Sequence, residues 1–157
     1  MERVGPLFAV RDLKASLEFY RKVLGMEVAS DFGANVVLTG GLALQTLETW
    51  AAFLGKSEAE IVFGGNTGEI YCEAEDFDAF LKGLRHHPEV ELVCQPVEHR
   101  WGQRVVRLYD PDHHIIEVGE PMCRVCRRFL DSGLSEEGIA RRMDVSLEYV
   151  RSQLKKT

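Results

Sequence analysis

Long apolar runs are missing from this chain of 157 residues. No stretch approaches the ~18–20 apolar residues of a membrane-spanning helix, and Met1 to Pro6 contains no signal-peptide hydrophobic region. The chain is therefore expected to be soluble and cytoplasmic. Positive charge is also short, since 19 Lys and Arg face 25 Asp and Glu for a formal net charge of −6. Such a balance opposes the counterion release that drives nucleic-acid binding, and nucleic acid is not an expected partner. Gly64, Gly65 and Gly68 are not followed by Lys-Ser/Thr, which excludes a phosphate-binding glycine loop. There are only four cysteines. Cys123-Arg-Val-Cys126 lacks a second pair and a histidine ligand, so it reads as two reduced thiols on one helical face rather than a zinc site. Cys72 and Cys94 fall in predicted strands and read as small buried hydrophobes.

What is present is enough apolar material, 45% of residues, for one compact domain with an appendage. The segment from Trp101 to Glu120 reads as strand, turn and strand. Arg104 to Tyr109 is β-rich, Asp110-Pro-Asp112 supplies turn residues, and His114 to Val118 resumes an extended pattern. Ile115 and Glu117 share one face of that last strand, while Ile116 and Val118 share the other. A carboxylate in such a strand is costly without a partner or a task.

The surroundings of Asp12 recur around Asp76. Each aspartate follows a short strand and can cap a helix whose apolar residues keep helical spacing: Leu13, Leu17, Tyr20 and Leu24, then Phe77, Phe80, Leu81 and Leu84. Gly25 is placed to end the first helix, and His86-His-Pro88 the second. Three strand-like runs follow each helix, at 27–30, 36–39 and 42–47 in the first copy and 91–95, 104–109 and 114–118 in the second. The predicted fold class is α+β: two tandem β-α-β-β-β modules, at about 4–48 and 68–120. A linker helix within 49–67 carries Trp50, Phe53 and Leu54.

Residues 121–157 are predicted to form a three-helix appendage. Pro121 starts a helix running to Asp131, Gly133 ends it, and Ser135 and Ser146 can cap two more. Ser135 to Leu154 resembles a helix-turn-helix in which Asp144 replaces the usual small turn residue. The tail carries eight Lys or Arg against five Asp or Glu, and residues 1–120 carry eleven against twenty. Because short helices are unstable alone, its apolar set (including Met143, Val145, Tyr149 and Val150) is expected to pack as core or interface. DNA binding by Arg151, Gln153, Lys155 and Lys156 is the weaker reading.

Val10-Arg-Asp-Leu13, Ser16, Phe19-Tyr20, Leu24-Gly25, Trp101-Gly102 and Asp110-Pro-Asp112 with Glu117, taken in this order, resemble the vicinal oxygen chelate superfamily. That superfamily includes glyoxalase I, extradiol dioxygenases, fosfomycin-modifying enzymes and bleomycin-binding resistance proteins. The resemblance covers roughly residues 4–120. It implies a cupped sheet around a pocket, usually in a homodimer, with up to four metal ligands from the first and last strands of each module. Carried over position by position, it puts Gly5 where the family often has a histidine, and Gln45, Glu69 and Glu117 at the other ligand positions. Three oxygen donors suit a hard divalent ion such as Mg or Mn, with Co, Ni, Fe and Zn as the further candidates. Glu69 and Glu117 would then be the catalytic carboxylates, moving protons beside the metal.

In the loop from Val97 to Gln103, His99 is placed to relay a proton and Trp101 to stack on an organic ligand; Tyr71 and Tyr109 are further substrate-binding candidates. The functional expectation is a glyoxalase, bleomycin-resistance or dioxygenase-like protein that binds or transforms a small organic molecule. As an enzyme it would be a metal-dependent lyase, isomerase or dioxygenase. The alternatives are a metal-free drug- or ligand-binding protein and a ligand-responsive regulator that binds DNA through its tail.

Overall fold

The computed structural model describes residues 4–156. Its strands form two four-stranded sheets of equivalent order, β1-β4-β3-β2 and β5-β8-β7-β6. In the first are β1 (Leu7–Val10), β2 (Val28–Asp31), β3 (Asn35–Leu38) and β4 (Ala43–Thr46); in the second are β5 (Glu69–Glu73), β6 (Leu92–Glu98), β7 (Arg104–Tyr109) and β8 (Ile115–Gly119). Helix α1 (Leu13–Leu24) follows β1, and α3 (Phe77–Leu84) follows β5. The fold is thus α+β, with two tandem β-α-β-β-β modules. The first sheet is mixed, because β1 pairs with β4 in parallel while β3 pairs with β4 antiparallel.

Both repeated aspartates cap as the sequence requires. The Asp12 side chain accepts from the Ala15 N–H at 2.9 Å, and Asp76 from the Ala79 N–H at 2.8 Å, each satisfying a donor that the first helical turn leaves over. Gly25 ends α1 with φ 66°, a conformation that costs glycine little. Arg85 caps the C-terminus of α3 in right-handed geometry, one residue before the predicted stop. Between the modules, α2 (Leu47–Leu54) takes Leu47 from the predicted strand, and a 3-10 turn follows at Glu58–Glu60. Of its apolar residues Ala51 is buried, whereas Phe53 and Leu54 stand exposed. Cys94 departs from the prediction as well: it is exposed, and Cys72 is half-buried. The reason is position, since β6 and β5 are the outer strands of their sheet, where one flank has no neighbouring strand.

Contacts divide the chain into two compact units. The first comprises the residues up to Ile70 together with His87–Glu91 and Tyr109–Ile116, and the second Tyr71–His86, Leu92–Leu108 and Glu117 onward. Val10, Tyr20, Val36, Leu38 and Leu44 are buried in the first, and Val105, Val106, Leu108 and Val118 in the second.

The tail lies in the second unit as α4 (Met122–Asp131), α5 (Glu136–Met143) and α6 (Leu147–Leu154). Ser135 and Ser146 cap α5 and α6 through their side-chain oxygens. Asp144 makes the turn between them in the left-handed region, φ 59°, which Asp tolerates better than most residues. The apolar residues close on one another: Val125, Cys126, Ile139, Ala140, Met143 and Val150 form a core, flanked by Phe129, Leu134, Tyr149 and Leu154. The tail is also tied to the rest of its unit by arginines. Arg128 pairs with Glu120 at 3.0 Å, Arg124 with Glu75 at 3.3 Å and Arg142 with Glu98 at 3.6 Å. These pairs engage three of the eight basic residues of the tail, and Arg151 of the candidate DNA-reading helix pairs with Glu136 at 2.7 Å. Among the described residues no helix is long and apolar enough to cross a membrane.

Candidate functional site

The hairpin from β7 to β8 is closed by Asp110, whose N–H donates to the His114 carbonyl at 3.0 Å, and is held at its far end by the Glu120 N–H donating to the Arg104 carbonyl at 2.9 Å. That register sets Arg107 across from Glu117 and Arg104 across from Glu120, the geometry in which opposite charges on neighbouring strands meet. Both pairs form. Arg107 holds the Glu117 carboxylate through its guanidinium, and Arg104 reaches Glu120 at 3.0 Å. Glu117 is 7% exposed and Glu120 4%, so each carboxylate has exchanged water for a guanidinium.

Around the first pair lies a polar chain. Gln103 donates from Nε2 to the Tyr71 hydroxyl at 2.9 Å and to the Glu120 carbonyl at 3.0 Å, while its Oε1 accepts from Trp101 Nε1 at 3.2 Å. The His99 ring stacks on Trp101, centroids 4.4 Å apart. Tyr71 donates to Glu73 at 3.1 Å. Burial, the charge of Glu73 and its hydrogen bond, together with the charge of Glu117, push the Tyr71 hydroxyl up to about 12 against the opposing hydrogen bond from Gln103. It is a neutral donor at physiological pH. Gly119 makes room for this arrangement, since a Cβ there would come within 2.8 Å of the Tyr71 ring. Tyr71, His99, Trp101 and Glu117 thus share the second unit, with Trp101 and Tyr71 partly open to solvent.

The remaining candidates belong to the first unit. Gln45 is buried on β4; its Oε1 accepts from Asn35 Nδ2 at 2.8 Å and its Nε2 donates to Thr49. Glu69 is exposed at the start of β5 and borders a cleft beside the glycine loop. Tyr109 donates to Asn66 at 3.0 Å and stacks on His113.

Residues 4–123 match the Glyoxalase-like domain family. The chain belongs to that family. The match places it in the vicinal oxygen chelate superfamily, and α4 is cut by its limit while α5 and α6 lie beyond it. A protein of unknown function from Agrobacterium tumefaciens str. C58 is 36% identical, with a TM-score of 0.67 over 76% of this chain and 94% of that one. The glyoxalase/bleomycin resistance protein/dioxygenase from Nocardioides is 21% identical, with a TM-score of 0.60 over 76% and 84%, and shares the fold. The uncharacterized protein YraH of Bacillus subtilis (strain 168) is 27% identical over 116 residues, 69% of this chain and 90% of YraH.

Several glyoxalase-like proteins hold a divalent metal, but the donors at the corresponding positions here do not fit one. The Glu117 carboxylate already faces a guanidinium, the Gln45 amide is satisfied on both ends, and Gly5 offers no side chain. Among the described residues no group of three His, Cys, Asp or Glu is arranged to hold an ion. The residues that sequence reasoning missed are Arg107 and Gln103. Arg107 was detectable: a charge inside the apolar run from Arg104 to Tyr109, at the same distance from the turn as Glu117.

Proposed function

We propose that this glyoxalase-like protein binds a small organic molecule without a metal, at the face of the second unit that carries Tyr71, Gln103, Trp101 and the Arg107–Glu117 pair. The observation that carries the reading is the engagement of Glu117 by Arg107. A guanidinium supplies there, as a fixed covalent part of the chain, the positive charge that a divalent ion would bring. Trp101 offers an aromatic surface for stacking, Tyr71 a neutral hydroxyl oxygen that can accept a further hydrogen bond, and Gln103 positions both through its amide. A few placed polar groups beside aromatic surface suit a planar organic ligand with one or two polar substituents. Sequestration or sensing of such a ligand follows, rather than metal-dependent lyase, isomerase or dioxygenase chemistry.

Calorimetric titration of the full chain with Mn²⁺, Co²⁺ and Ni²⁺, beside a thermal-shift screen of small aromatic compounds, tests this. A ligand that binds only the folded state raises the melting temperature by mass action. The expected result is stabilisation by members of the organic set that Trp101→Ala removes, and no stoichiometric metal binding. Metal binding at submillimolar concentration that Glu117→Gln abolishes would reverse the reading in favour of the metal-dependent enzyme.

A further inference from the structure

The first unit holds a second constellation, built on the turn between β7 and β8, that the reading above does not use. Asp110 has no exposed side-chain surface. Its Oδ2 accepts from the Tyr20 hydroxyl at 2.9 Å and contacts His114 Nδ1 at 2.9 Å, while its Oδ1 accepts from the backbone N–H groups of Asp112 and His114 at 2.9 and 2.8 Å. With three donors already directed at this carboxyl group, the fourth contact is assigned as Nδ1–H donating to it. In the Nδ1–H tautomer the lone pair of the His114 ring lies on Nε2. Aromatic neighbours fix the ring plane: Phe8 stacks on it at 4.1 Å with 4° between planes, and Phe63 meets it edge-on at 5.8 Å. Phe63 is itself held by the Arg11 guanidinium, 3.8 Å above its centroid and anchored to Asp112 at 3.0 Å. His114, Phe8 and Phe63 line a cleft of about 370 Å³ with Ile70, Ile115 and the glycine loop at 64–68.

An imidazole whose tautomer is set by a buried carboxylate and whose plane is clamped by two aromatic rings has the form of an oriented base, the same logic by which a third group orients the base of a catalytic triad. The wall it occupies combines the apolar surfaces of Phe8, Phe63, Ile70 and Ile115 with polar Asn66, Thr67 and Glu69, which suits a small flat molecule carrying a polar substituent. We propose that this cleft binds a small phenol or enol and that His114 acts as the base on its hydroxyl. In the step, Nε2 takes the hydroxyl proton as the O–H bond breaks and an N–H bond forms, leaving a phenolate or enolate beside an imidazolium. The Asp110 carboxylate stabilises that imidazolium through Nδ1–H, and the same proton returns to the oxygen when the molecule leaves.

The test uses 4-nitrophenol as a chromogenic probe, because its phenolate absorbs apart from the neutral phenol. Titrated into the full chain at constant pH, it is expected to bind saturably in the low-millimolar range or tighter, with a phenolate band larger than that of the same concentration in protein-free buffer. His114→Phe, which keeps the ring stacked on Phe8 and removes both nitrogens, should weaken binding at least tenfold and abolish the band. Absence of saturable binding by the wild type, or binding by His114→Phe within twofold of it, would overturn the proposal. Should that variant fail to fold, nitrogen NMR of the histidine-labelled wild type decides: an Nε2 resonance of His114 that moves on adding 4-nitrophenol supports the base, and one that stays fixed refutes it.

Discussion

Replacing Arg107 by Met removes the guanidinium that holds Glu117 and keeps most of the apolar stem. The cost is set by what remains, a carboxylate on a residue 7% exposed with its charged partner gone. Breaking a buried ion pair from one side costs about 3–5 kcal/mol, whereas an exposed pair contributes about 0–1 kcal/mol. The side chains of Arg107 and Glu117 are 25% and 10% exposed, which places the pair nearer the buried limit, at about 3 kcal/mol. For a chain of this length each kcal/mol moves the melting temperature by about 2–4 °C, so Arg107→Met should melt roughly 6–12 °C below the wild type at pH 7. The double variant Arg107→Met/Glu117→Leu leaves no charge behind. It should recover most of the loss, because an apolar pair of similar volume replaces a buried ion pair at little or no cost. Calorimetric melts of the wild type, both singles and the double close the cycle. A single variant within 1 °C of the wild type, or a double as unstable as Arg107→Met, would refute the claim that this pair governs the charge of Glu117. With it would fall the main argument for metal-free binding.

Gly102→Ala should destabilise by about 2–4 kcal/mol in urea unfolding, because the residue has φ 92° and a Cβ would stand 2.2 Å from the Phe129 ring; a loss below about 0.5 kcal/mol would show that Phe129 is not seated there. For Glu120, burial disfavours the charged form, but hydrogen bonds from Arg104 and Arg128 outweigh it and hold the carboxyl below its ordinary value of 4.5. A depressed folded-state pKa gives stability that is complete above the unfolded value and is lost as pH falls through the folded one. The wild type should therefore lose stability below about pH 4.5, and Glu120→Gln, less stable at pH 7, should show a shallower fall in the same acid range; parallel curves would count against this role. Light scattering at tens of micromolar is expected to give a homodimer that covers exposed apolar residues such as Phe53 and Leu54, and a monomer mass would contradict it.

Local chemistry made the architecture readable. Asp12 and Asp76 announce helix starts because a carboxylate can accept from the free N–H groups of a first turn, Gly25 announces a stop because it enters the left-handed region cheaply, and alternation separates the strands from both. The repeat of these signals was enough to predict two modules of one topology, and Ser135 and Ser146 were enough to place α5 and α6. The tail required more, since its apolar residues said that they must be covered without saying by what; the structure packs them on each other and uses Arg124, Arg128 and Arg142 to tie the helices to Glu75, Glu120 and Glu98.

The sequence by itself determined that Glu117 enters an apolar strand and needs a partner. Arg107 was legible as a charge at the matching distance from the turn, but only the tertiary structure decided that it is the partner, because a lone carboxylate is satisfied equally by a metal or a guanidinium and the choice rests on the register that the folded hairpin adopts. The same holds for His114, which reads as an ordinary strand residue until Asp110, Phe8 and Phe63, far apart in the chain, converge on its ring. Helix caps, turns and alternation are encoded by residues a few positions apart. Site chemistry depends on contacts between distant ones, and those exist only once the chain has folded.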